Sequence, residues 1–131
     1  MKIRSLGLPG FFCIFIIMKL AIIGSRTFND YALLSQTLKP FLPKITLVVS
    51  GAAKGADSLG ERWAIENKLK TLIFPADWNQ YGKRAGFIRN VDIIENCDYC
   101  IAFYDGTSKG TAHAIKLCKK YNKPCNIINY D

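Results

Sequence analysis

The chain has 131 residues, half of them hydrophobic and 21% charged, with no low-complexity tract and no internal repeat; this excludes a disordered chain and a repeat array and leaves room for one domain. The formal charge of +8 favours an anionic partner, although net charge alone does not choose between nucleotide, nucleic acid and membrane surface. Five cysteines, an odd number set in apolar stretches, make no secreted disulfide framework, so a reducing cytoplasm is the expected compartment.

Residues 1–17 carry Lys2 and Arg4 ahead of an apolar stretch from Leu6 to Ile17, the outline of a signal peptide. No small-x-small cleavage site follows, Gly7, Pro9 and Gly10 interrupt the stretch, and Phe11–Ile17 is far below the roughly 20 residues that cross a bilayer. No membrane anchor is expected. Met18 and Lys19 open a clean strand, so residues 1–17 read as an N-terminal extension outside the fold and 18–131 as a single domain. Starting at Met18, sixteen basic residues face ten acidic ones, a charge of +6.

From there, aliphatic runs alternate with segments of helical period. A strand at Leu20–Ile23 precedes a helix expected from about Asp30 to Leu42, with Leu34, Leu38, Phe41 and Leu42 on one face. A strand at Thr46–Val49 leads to a helix from about Asp57 to Asn67, with Leu59 and Trp63 on its apolar stripe. Leu72–Phe74 is the third strand, and a loop through Asp77, Trp78 and Gly82 precedes a helix at about Ala85–Asn96. The strand Tyr99–Tyr104, a helix carrying Ala114, Leu117, Cys118 and Tyr121, and the strand Cys125–Ile128 close the chain. This alternation predicts an α/β, Rossmann-like, doubly wound parallel sheet of five strands in the order 3-2-1-4-5, with strands 1 and 4 flanking the topological switch point.

Three loops of small residues follow strands 1, 2 and 4: Gly24-Ser25-Arg26, Ser50 through Asp57, and Asp105 through Thr111. Glycines allow close approach of a ligand, and the first amides of the next helix attract an anion, so the three loops together predict a phosphate-binding crevice. Ser25 offers a hydroxyl and Arg26 a fork of donors for phosphate, or they form a turn with an exposed arginine. Asp57 either accepts from a ribose hydroxyl or caps its helix. The loop with Gly106, Gly110 and Thr111 is the best phosphate candidate, its alternative being a turn with an N-cap. Neither G-x-G-x-x-G nor a P-loop is present. Arg89 and Asn90 interrupt an apolar helix face, and His113 lies three residues beyond Gly110. Cys97 and Cys100 have C-x-x-C spacing without a second pair, and the spacing of His113 and Cys118 matches no zinc pattern, so no metal site and no required cofactor are expected.

Taken together, Gly24-Ser25-Arg26, Ser50–Asp57, Pro75-Ala76-Asp77-Trp78, Gly82 with Ala85–Asn90, and Gly110-Thr111 resemble the SLOG superfamily, which groups the SMF/DprA DNA-processing proteins with the LOG phosphoribohydrolases. Within it the chain resembles the small single-domain YspA-like proteins. The resemblance spans residues 18 to about 128 and implies a domain that binds a nucleotide or nucleotide-derived ligand. By that resemblance the contacts are Gly24, Ser25, Arg26, Gly51, Gly55, Asp57, Arg89, Asn90, Gly110 and Thr111. LOG hydrolases carry a catalytic glutamate where this chain has Ala114, so the resemblance does not extend to their acid/base group.

The expected function is therefore binding or sensing of a phosphorylated, nucleotide-like small molecule at the carboxyl edge of the sheet. The alternatives are a nucleotide-processing hydrolase assisted by Asp57, Asp105 or His113, and single-stranded DNA binding like the DprA relatives. Association into a homo-oligomer is left open, and no membrane partner is expected.

Overall fold

A computed structural model describes residues 18–130. The expected extension at residues 1–17 lies outside the described residues, as does Asp131. Five parallel strands, β1 (Met18–Gly24), β2 (Ile45–Ser50), β3 (Lys70–Ile73), β4 (Tyr99–Tyr104) and β5 (Cys125–Asn129), form one sheet in the order β3-β2-β1-β4-β5. The predicted strand order and the doubly wound architecture are both present.

The central strands are buried on both faces, and their side chains alternate between two cores as a period of two requires. Leu20 and Ile22 of β1, with Ile101 and Phe103 of β4, pack under the helices α1 (Tyr31–Leu38) and α2 (Ala56–Glu66) through Leu34, Leu38 and Trp63. Ala21 and Ile23, with Cys100 and Ala102, pack on the other face under α4 (Ala85–Glu95) and α5 (Lys109–Lys120) through Ile93, Ile94 and Leu117.

Two elements differ from the sequence expectation. The first helix stops at Leu38 and continues as a 3-10 segment, Lys39–Lys44. Pro40 and Pro43 supply no backbone N–H, so the i to i−4 ladder has no donor there and the tighter turn takes over. The loop before the fourth helix contains a single helical turn, α3 (Trp78–Tyr81), capped by Asp77, whose Oδ1 accepts from the Gln80 amide at 3.1 Å. No helix among the described residues is long and apolar enough to cross a membrane.

Candidate functional site

Strands β1 and β4 are neighbours from which the chain winds in opposite directions, and an open crevice of about 370 Å³ lies at their carboxyl ends. Gly24, Ser25 and Arg26 enter it from β1, Asp57 from α2, Arg89 and Asn90 from α4, and Gly110 and Thr111 from α5. A recess of about 290 Å³ shares Arg26, Ala53, Trp78 and Arg89 with it and adds Gly51. Gly55 and Gly106 lie off both linings.

The β1 end is the junction of the three loops. Ser25 is 1% exposed: its amide donates to the Phe103 carbonyl at 3.0 Å, its hydroxyl accepts from the Asp105 amide at 3.2 Å, and its carbonyl accepts from the amides of Phe28 (3.1 Å) and Ala56 (3.3 Å). Its polar atoms thus tie loop to loop. Gly55 starts α2 with φ at +78°, and a side chain there would stand 2.6 Å from the Arg26 carbonyl, so only glycine allows this approach.

In the second loop the amides turn toward Asp57. Its Oδ2 accepts from the Gly51 amide at 3.2 Å and the Ala53 amide at 3.3 Å, so the carboxylate braces the loop. Burial pushes its carboxyl up to about 6, against the pull of Arg89 and the two amides. Arg89 donates through Nη1 to the Gly51 carbonyl, and its buried Nε has no acceptor among the described residues. Burial, and then the nearby Arg26 charge, push the Arg89 guanidinium down, while Asp57 holds it up. The one ion pair among the described residues is Arg62 with Glu66 on α2, and neither residue lines the crevice, so Arg26 and Arg89 share it with no carboxylate at salt-bridge distance.

In the third loop Asp105 Oδ1 accepts from the amides of Thr107 and Ser108, both at 2.9 Å, and these donors hold its carboxyl below the usual range. Ser108 caps α5 by accepting from the Thr111 amide at 3.3 Å. Among the described residues the amides of Lys109 and Gly110 have no protein acceptor, which leaves two first-turn donors for an anion. Asn90 Nδ2 donates to the Gly110 carbonyl at 3.1 Å and lies 3.3 Å from His113 Nδ1, so it pins α4 to α5. Burial and Lys116 push His113 down, toward a neutral ring. Ala114, 2% exposed, lies in the crevice wall.

Sequence reasoning left two aromatic side chains out of the site. Trp78 and Phe87 line the crevice while remaining 50% and 45% exposed. Trp78 could have been found from its place beside Asp77 and Gly82, whereas Phe87 keeps helical spacing with Val91 and Ile94 and reads as a core residue, an expectation that its exposure corrects. Away from the crevice, the C-x-x-C residues part company: Cys97 donates to the Ile94 carbonyl, whereas the sulfurs of Cys100, Cys118 and Cys125 lie within 4.8 Å of one another.

A family model described as YspA, cpYpsA-related SLOG family matches residues 18–81. A curated relative, the Gene 61 protein of Mycobacterium phage D29, is 33% identical over 121 residues, covering 86% of this chain and 95% of its own length. Among solved structures, DNA processing protein A from Helicobacter pylori, described for its single-stranded DNA binding mode, superposes with a TM-score of 0.65 at 24% identity over 87% of this chain. The same protein from Streptococcus pneumoniae gives a TM-score of 0.71 at 18% identity over 88% of this chain. The chain spans 66% and 51% of the lengths of these two structures.

Proposed function

The chain belongs to the YspA, cpYpsA-related SLOG family, and from that premise we propose that its crevice binds a nucleotide or nucleotide-derived phosphorylated ligand. The observation that carries this reading is the approach of Arg26 and Arg89 without a carboxylate at salt-bridge distance from either among the described residues. Two like charges brought together repel, and a phosphate between them relieves the repulsion while accepting a fork of hydrogen bonds from each. Gly110 lies in the same crevice wall, and its amide adds a neutral donor. No cofactor is needed for this role. Asp57 gives its Oδ2 to the loop amides and Ala114 offers no acid/base group, so binding rather than bond cleavage is the reading the geometry supports best.

The test is thermal stabilisation of the full chain by a panel of nucleoside mono- and diphosphates, with product chromatography on the same mixtures. Ligand-dependent stabilisation that Arg26→Ala and Arg89→Ala each remove, with the nucleotide recovered intact, is expected. Equal stabilisation of both variants would remove this site, and recovery of free base or phosphate would make the protein a hydrolase.

Single-stranded DNA is a second reading, supported by the charge of +8 and by the fold shared with DNA processing protein A. Binding of that kind is largely electrostatic and falls steeply with salt. The four described cysteines are free thiols, which supports a reducing cytoplasm as the compartment.

A further inference from the structure

We propose that Trp78 and Phe87 form a platform for a nucleobase, so that the crevice takes a nucleoside phosphate by both ends rather than a bare sugar phosphate by one. The proposal rests on the reading of the crevice as a phosphate site and assigns its other half. Five large hydrophobic side chains are exposed among the described residues, and three of them, Trp78, Tyr81 and Phe87, fall within ten consecutive positions. Two of these three, Trp78 and Phe87, line the crevice itself, where a solvent-facing aromatic loses burial unless a ligand covers it.

The platform is fixed in place. Gly86 lies beside the indole edge, for a Cβ there would stand 3.5 Å from Trp78 Cη2 and 3.7 Å from Arg89 Nη2, so the indole edge and the guanidinium both border one glycine. Trp78 also borders the adjoining recess, so it forms the wall between the two hollows. The Phe87 ring packs on the His113 ring with centroids 4.5 Å apart, and Asn90 Nδ2 lies 3.3 Å from Nδ1 of that histidine. Uncharged aromatic and cationic side chains therefore line one crevice together. A nucleoside phosphate has this division, with a flat π face at one end and a dianion at the other; ribose 5-phosphate has only the second.

The same chemistry comes from a free nucleotide or from a base in a single strand, and the experiment separates them. The full chain is titrated with AMP, UMP, ribose 5-phosphate and oligothymidylate, by calorimetry and by tryptophan emission. Trp63 is 2% exposed in the core, so an emission change reports Trp78. We expect AMP and UMP to bind about 5- to 150-fold more tightly than ribose 5-phosphate, the range that stacking of one base on an aromatic side chain provides. The double variant Trp78→Leu, Phe87→Leu, altered only at half-exposed positions, is expected to lose that advantage by calorimetry while retaining ribose 5-phosphate binding and its melting transition. Oligothymidylate binding without AMP or UMP binding would assign the platform to a strand. Equal affinity of AMP, UMP and ribose 5-phosphate in the parent chain overturns the platform and leaves the phosphate site standing. Absence of binding by all four probes overturns both.

Discussion

Asp57 is the one acidic side chain buried among the described residues, and its cost and its use are both measurable. In the unfolded chain the carboxyl titrates near 3.8, and in the fold burial moves it to about 6, so between those values the folded state binds more protons. Stability therefore falls as pH rises from about 4 to about 6, by about 3 kcal/mol, and stays at the lower level above that window. Asp57→Asn keeps an oxygen for the Gly51 and Ala53 amides and removes the charge, so its melting temperature is expected to lose this slope; a variant with the parental slope would show that another group titrates. A second residue-scale expectation concerns the thiols. Hydrogen bonds from Cys100 and then Cys118 pull the Cys125 thiol down, and Cys125 is the one described cysteine that is only partly buried. Of the described cysteines, Cys125 is expected to be alkylated first near pH 7, and peptide mapping that finds Cys97 or Cys100 labelled earlier would refute this.

At the scale of elements, the loop after β2 and the helix α4 behave as one piece. A Cβ on Gly51 would stand 2.5 Å from Arg89 Nη1 and 2.8 Å from Asp57 Oδ2, so the missing side chain is the space the guanidinium occupies. Gly51→Ala is expected to displace Arg89, lower nucleotide affinity at least as much as Arg89→Ala, and shift the melt downward; unchanged affinity would mean that Arg89 does not hold the ligand. The sequence showed where this piece lies but not how it is wired. Strands β1, β2 and β4 were legible because aliphatic runs and small-residue loops follow one another, and the sheet order came from the alternation with helices. The 3-10 segment Lys39–Lys44 was hidden because Leu38, Phe41 and Leu42 still keep a helical spacing, although the prolines remove the donors. The single turn α3 is four residues long, too short for any periodicity to mark it. The bracing of the second loop by Asp57 reaches back only to Ala53 and Gly51, within the range where a helix cap was the competing reading, whereas the junction of β1 with the Asp105 loop through Ser25 depends on a contact between segments 80 residues apart. Such pairings leave no local pattern to read.

For the whole molecule, the question is whether the charge of +8 acts through the crevice or over the surface. Lys119 and Lys120 close α5, where the helix dipole favours them, and they lie outside the crevice lining; charge of this kind attracts any polyanion without selecting one. Arg26 and Arg89 are different, because the fold brings them to one crevice from β1 and α4. Raising salt from about 50 to about 200 mM is expected to cost a single-stranded oligonucleotide held along the surface orders of magnitude in affinity, since each neutralised phosphate releases counterions. A mononucleotide held by two arginines and a helix amide has few such contacts, and its affinity is expected to fall far less over the same range. The double variant Arg26→Ala, Arg89→Ala then separates the two contributions: it should abolish mononucleotide binding at either salt concentration while sparing most of the oligonucleotide binding at low salt. If the double variant instead loses both ligands in parallel, crevice and strand binding are one site, and the lysines outside it have no part in recognition.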